Sequence, residues 1–112
     1  MRLSKDADAL ICLMYKHFLE QRSNNISKQQ ARYLGHIEEI HSLLQGLCSI
    51  DDTVETCKEL HSAGLITCEF NDNTVFEAFF NDNGIIYMEN RFKDGVNEVL
   101  KYIKSLKDTF SI

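Results

Sequence analysis

Cys57 and His61 stand four residues apart, a spacing that puts a thiol and an imidazole on one side of a helix, and Cys48 or Cys68 could complete a tetrahedral metal site. The four cysteines, Cys12, Cys48, Cys57 and Cys68, are separated by 36, 9 and 11 positions, so no Cys-x-x-Cys pair marks a zinc ribbon or a redox centre. The apolar neighbours Val54 and Leu60 make the same stripe a core face, and the sequence predicts neither a metal nor a cofactor there. As nucleophile and base the pair lacks a third, orienting group, and a core-facing cysteine has its pKa raised rather than lowered. No other constellation of catalytic residue types stands out, so an enzyme is not expected. His17, His36 and His41 are isolated.

Charge is the more informative chemistry. Residues 1–36 carry a net +3, residues 37–90 a net −10 and residues 91–112 a net +2, within a total of −5. The acidic block suits a basic partner and opposes nucleic acid, whereas the N-terminal bases Lys16, Arg22, Lys28 and Arg32 are candidates for contact with DNA phosphates.

The elements that must position these groups follow from length and periodicity. The chain has 112 residues and 12.9 kDa, enough for one core, and 44% apolar with 26% charged residues describes a folded globule. No apolar run approaches the 18 or so residues that span a bilayer. The opening Met1-Arg2-Leu3-Ser4-Lys5-Asp6-Ala7-Asp8 does not read as a signal peptide, so a cytoplasmic protein with reduced, buried thiols is expected.

Ser4 is placed to cap a helix over about 4–22, along which Ala7, Leu10, Ile11, Met14 and Phe18 recur at helical spacing. Ser27-Lys28-Gln29-Gln30 has the form of a capping box and opens a second helix over about 27–46, with Gly35 as a possible break. Asp51 or Asp52 is expected to cap a third helix over 51–63, ended by Gly64. The period then changes to two, predicting strands at 65–70 and 74–80, and Asn83-Gly84 suggests a tight turn into a third strand at 85–88. A last helix over 92–110 carries Val96, Val99, Ile103, Leu106 and Phe110 as a heptad stripe, the expected interface of a homodimer. Phe79 and Phe80 are consecutive and point to opposite faces of a strand, so Phe79 with Val75 forms either an exposed partner patch or a face covered by the last helix.

The order helix, helix, turn, helix, hairpin, carried by the segment from Ile40 to Ile66 with Thr53-Val54 opening its second helix and Ala63-Gly64-Leu65-Ile66 leading into a strand, resembles the winged helix-turn-helix superfamily. Asn83-Gly84-Ile85-Ile86-Tyr87-Met88 followed by a helix is similar to the small winged-helix proteins of bacteria and their phages. The resemblance implies an α+β fold, one winged-helix domain over 1–112 with a small antiparallel meander as wing, and a non-enzymatic regulatory module. It also implies DNA contact by the third helix through Thr53, Thr56 and Lys58. That helix offers one base against Asp51, Asp52, Glu55 and Glu59, and the wing adds Glu69, Asp72, Glu77 and Asp82. The alternative is therefore an interaction module, or a mimic of nucleic-acid charge, that uses Asp51, Asp52, Glu55, Glu59 and Phe79 against a basic protein partner.

Overall fold

The computed structural model describes residues 2–110, with side chains described as far as residue 106. These residues form an α+β fold of six helices and one three-stranded antiparallel sheet. Helix α1 (Lys5–Ser23) begins where the Ser4 hydroxyl accepts the Ala7 amide at 3.2 Å, and Asp6 and Asp8 in its first turn suit the positive end of its dipole. Ala7, Leu10, Ile11, Met14 and Phe18 are buried as their spacing predicts. Ala9, Cys12, Leu13 and Tyr15 are buried too, so α1 runs through the middle of the molecule rather than along its surface.

The helix predicted over 27–46 is three elements instead, α2 (Lys28–Ala31), β1 (Tyr33–Gly35) and α3 (Ile37–Leu43). Its start is capped as expected, Ser27 accepting the Gln30 amide at 3.2 Å. The helix fails beyond Arg32 because the segment adds to a sheet built elsewhere in the chain: Tyr33 lies opposite Phe79 and Gly35 opposite Ala78. Gly35 then turns the chain at a φ of +85°, a conformation that favours glycine.

A short reversal through Gln45 and Gly46 leads from α3 to α4 (Ile50–Ser62), whose cap is Ser49 rather than Asp51 or Asp52; its hydroxyl accepts the Asp52 amide at 3.1 Å. Strands β2 (Ile66–Asn71) and β3 (Thr74–Phe80) follow where predicted and give the sheet order β1-β3-β2. Glu69 faces Glu77 and Phe70 faces Val75, so Phe76 is an extra residue, a bulge, on β3. The inner face of the sheet presents Leu34, Ile66, Val75, Ala78 and Phe80 to α1, where the Phe80 ring meets Tyr15 and Phe18 edge to face at 6.2 and 5.9 Å. Burying a side chain of that size contributes about 2 to 3 kcal/mol.

The strand predicted at 85–88 is helical. Helix α5 (Asp82–Arg91) starts at Asn81, whose side chain accepts the Gly84 amide at 2.9 Å, so Asn83-Gly84 is its first turn and not a hairpin. Ile85, Met88 and Phe92 fall at helical spacing and are buried, and only β2 and β3 form the hairpin. Gly84 is present for close approach: a Cβ there would collide with the Leu65 carbonyl oxygen and the Phe80 ring. Helix α6 (Val96–Phe110) packs against α1, and its start lies four residues beyond the predicted one because Phe92 closes α5 and Gly95 turns the chain. A polar clamp joins the two ends of the chain. Asp8 on α1 accepts from both terminal nitrogens of Arg91, one at 3.2 Å, and from the Tyr102 hydroxyl on α6, and the guanidinium carbon lies 4.5 Å from the centre of the Tyr102 ring.

Candidate interaction surfaces

Helix α4 meets the core through Val54, Cys57 and Leu60, and this orientation decides what its other residues can touch. Thr53 and Thr56 are buried, their hydroxyls donating back to the carbonyls of Ser49 and Asp52 at 2.8 and 2.7 Å. Neither is in a position to read a base, which corrects the roles that resemblance assigned to them. Asp51, Asp52 and Glu55 are exposed, and Lys58 is paired with Glu55 at 3.3 Å. Glu59 is taken by the N-terminus: its carboxylate accepts the Ser4 amide at 2.8 Å and the Ser4 hydroxyl at 2.6 Å, so it anchors the start of α1 rather than facing a partner.

The N-terminal bases do not form one surface. Lys16 pairs with Glu20 at 2.7 Å, on the flank where His17 and Leu43 lie. Arg22 and Lys28 instead line a groove of about 560 Å³ between α1 and α5, floored by Phe18, Leu19 and Ile85 with exposed Ile86 at its rim. Lys28 and Arg32 line a second groove of about 390 Å³ that ends on Phe79. Asp82 faces both of these bases, 3.3 Å from Arg32 and 3.9 Å from Lys28, so they are partly neutralised within the chain.

The outer face of the sheet is aromatic. Phe79 is 40% exposed, as one reading of the sequence required, but Val75 is buried and its expected place in the patch is taken by others. The bulge at Phe76 is the reason: it shifts the alternation by one residue, turning Val75 inward while leaving Phe76 46% exposed. Tyr33, 36% exposed, is the cross-strand partner of Phe79, with ring centres 5.3 Å apart, and its hydroxyl lies 3.4 Å from Glu77. Burial and the nearby carboxylates of Glu77 and Glu39 raise the Tyr33 phenol above its usual pKa. Phe76 packs on His36 at 5.4 Å between ring centres, and its carbonyl is bonded to the His36 ring. Sequence reasoning missed Tyr33 and Phe76, since the first lay inside an expected helix and the second on the inward phase of an unbulged strand.

Two of the four thiols, expected to be buried, fall into the core, while Cys48 and Cys68 are half-buried against it. Cys12 and Cys57 are buried, and burial, aided by the charge of Asp8, pushes the Cys12 thiol up to about 12. Cys57 and Cys68 share a hydrogen bond that holds the Cys57 proton and, with burial, raises its pKa, while accepting that bond lowers the pKa of Cys68. His61 turns away from this pair toward the sheet edge, where its Nδ1 accepts the Cys68 amide at 3.1 Å and its ring meets Phe70 at 5.4 Å. Among the described residues no three of His, Cys, Asp and Glu gather as ligands for a metal ion.

The heptad stripe on α6 is largely consumed within the chain. Val99 and Ile103 are buried against α1, whereas Val96 and Leu100 are exposed; Leu106 is half-buried, and the Phe110 side chain lies outside the described residues. The two central residues of the expected dimer interface, Val99 and Ile103, are thus already used in the core of a single copy. No helix among the described residues is long and apolar enough to cross a membrane. No family model, curated protein or solved structure matches this chain.

Proposed function

We propose that the chain is a winged-helix regulatory module that acts through protein contacts, without enzymatic activity. The element order, with a helix, a short strand, two helices joined by a tight reversal and then a hairpin, supports the winged-helix reading, as does a sheet in which the first strand pairs with the third. One observation carries the preference for protein over DNA: the helix that would enter the major groove exposes Asp51, Asp52 and Glu55 while its threonines are turned into the core. Carboxylates there oppose the phosphates that supply most of the affinity for duplex DNA.

The experiment is fluorescence anisotropy with mixed-sequence duplex DNA at about 50 and about 200 mM salt. Absence of binding at both is the expected result. The second reading, DNA contact by the basic flank, is favoured by Arg22, Lys28 and Arg32 lining adjoining grooves. Three phosphate contacts would give a salt slope near −2.7 and an affinity loss of about 40-fold between those two concentrations. Binding that falls in this way, and is lost in Arg22→Glu with Lys28→Glu, would replace the first reading by the second.

A further inference from the structure

We infer that the outer face of the sheet is a self-complementary surface on which a second copy of this chain docks. Three observations meet there. Tyr33, Phe76 and Phe79 leave between a third and a half of their surface exposed on neighbouring positions, whereas large aromatic rings normally find cover. Glu69 and Glu77 stand directly opposite each other on β2 and β3, and like charges in that relation destabilise a sheet unless a cation lies near them. Among the described residues neither is in an ion pair. The third observation is the position of the cations: Lys28 and Arg32 border Phe79 at the other end of the same face.

The face is therefore ordered along β3, with cations beside Phe79 and Phe80, the Phe79 and Tyr33 rings next, then the glutamate pair, and Phe76 beyond it. Arg32 bonds to Phe80, and Glu77 lies three residues back along the strand, about 10 Å at 3.4 Å per residue. A two-fold axis lying between two such faces and perpendicular to the strands reverses this order. It sets the cations of one copy over the glutamates of the other and lets the rings of both fill the space of about 10 Å between packed sheets. Asp82 is no obstacle, since its pairs with Lys28 and Arg32 are at the surface and such pairs are weak and exchangeable. This surface is independent of the winged-helix reading and of the α6 stripe.

Three strands of at most seven residues offer a flat area of roughly 300 to 400 Å² per copy, which places the association among weak, concentration-dependent ones. The test is sedimentation velocity of the whole chain from about 10 µM to about 1 mM at low and high salt. The expected result is a weight-average mass that rises with concentration from 12.9 kDa toward twice that value, and less steeply at high salt. Phe79→Ser should abolish the rise. Lys28→Glu and Glu77→Lys should each weaken association about fivefold or more, and the double variant should recover most of the loss, because it restores opposite charges across the two-fold axis. Both charge positions are remote from the core, so this pair decides the matter even if Phe79→Ser disturbs the sheet. A chain that remains monomeric at about 1 mM overturns the proposal, and so does an association indifferent to the charge exchange.

Discussion

Replacing Asp8 by Ala removes the acceptor at the centre of the clamp that holds α1, α5 and α6 together, and its cost can be worked from the contacts. Asp8 accepts from two nitrogens of Arg91 and from the Tyr102 hydroxyl, and its side chain is only 17% exposed, that of Arg91 25%. Hydrogen bonds to charged groups contribute about 1.5 to 3 kcal/mol, and the Arg91 charge would be left half-buried without its counterion. The bonds share one acceptor and do not add, so a loss of about 3 kcal/mol is expected. Unfolding entropy of about 2.1 cal/mol/K per residue over 112 residues converts this to a fall of about 13 °C in Tm. Tyr102→Phe should cost about 1 kcal/mol, and in the background of Asp8→Ala close to nothing, because the partner is already absent.

The same clamp has a pH signature. Burial opposes ionisation of Asp8, but the hydrogen bonds from Arg91 and Tyr102 and the Arg91 charge outweigh it and hold its carboxyl below the usual aspartate value. A carboxyl with a depressed folded-state pKa stabilises the fold above its unfolded pKa, near 4, and that stabilisation is lost as pH falls through the folded value. Thermal melts followed by circular dichroism at pH 7, 4 and 2.5 should show the gap between wild type and Asp8→Ala narrowing from pH 4 downward. A Tm within about 3 °C of wild type at pH 7, or a gap that widens in acid, would refute the reasoning.

The remaining expectations concern packing and the thiols. Gly84→Ala should destabilise by about 3 kcal/mol in urea titration, because the added Cβ meets both the Leu65 carbonyl and the ring of Phe80, which is itself fully buried and has no room to give; a loss below about 1 kcal/mol would mean that α5 shifts freely. Val99→Asp should lower the stability of the monomer by about 3 kcal/mol or more, since the position is fully buried against α1, and an unchanged melting curve would return the α6 stripe to the surface. With iodoacetamide at pH 7.5, peptide mass mapping should find Cys68 carbamidomethylated well before Cys57 and Cys12, whose protons are held by hydrogen bonding or burial; equal rates would contradict the assigned direction of the shared hydrogen bond.

Local signals with local consequences were legible in the sequence. The Ser4 and Ser27 caps, the buried stripe of α1, the stripe of α4 and the bounds of β3 all depend on neighbours a few residues away, and the structure realises them. What was misread depends on distant pairing. Ala31, Leu34, Ile37 and Ile40 fit a helical period, and β1 exists only because Phe79 and Ala78 lie alongside it more than forty residues later. Asn81-Asp82-Asn83-Gly84 supports either a hairpin turn or a helix start, and the choice goes to the helix because Asn81 caps it and Ile85, Met88 and Phe92 are needed in the core. At the candidate surfaces, the charge of each residue was legible but its direction was not. Thr53 and Thr56 turned inward with the rotation of α4, and one bulged residue decided that Phe76 rather than Val75 accompanies Phe79.

The bond between His61 and the Cys68 amide has a consequence for colloidal behaviour. Strand β2 is one of the two margins of the sheet, and an unguarded margin of this kind templates runaway stacking of chains into fibrils. With its central amide already spoken for by an imidazole at 3.1 Å and the Phe70 ring leaning on that imidazole, the margin offers an incoming strand an interrupted row of donors. A residue that first reads as a metal ligand thus works as a gatekeeper, and His61→Ala preparations should form thioflavin-positive aggregates at concentrations where the wild-type chain stays clear.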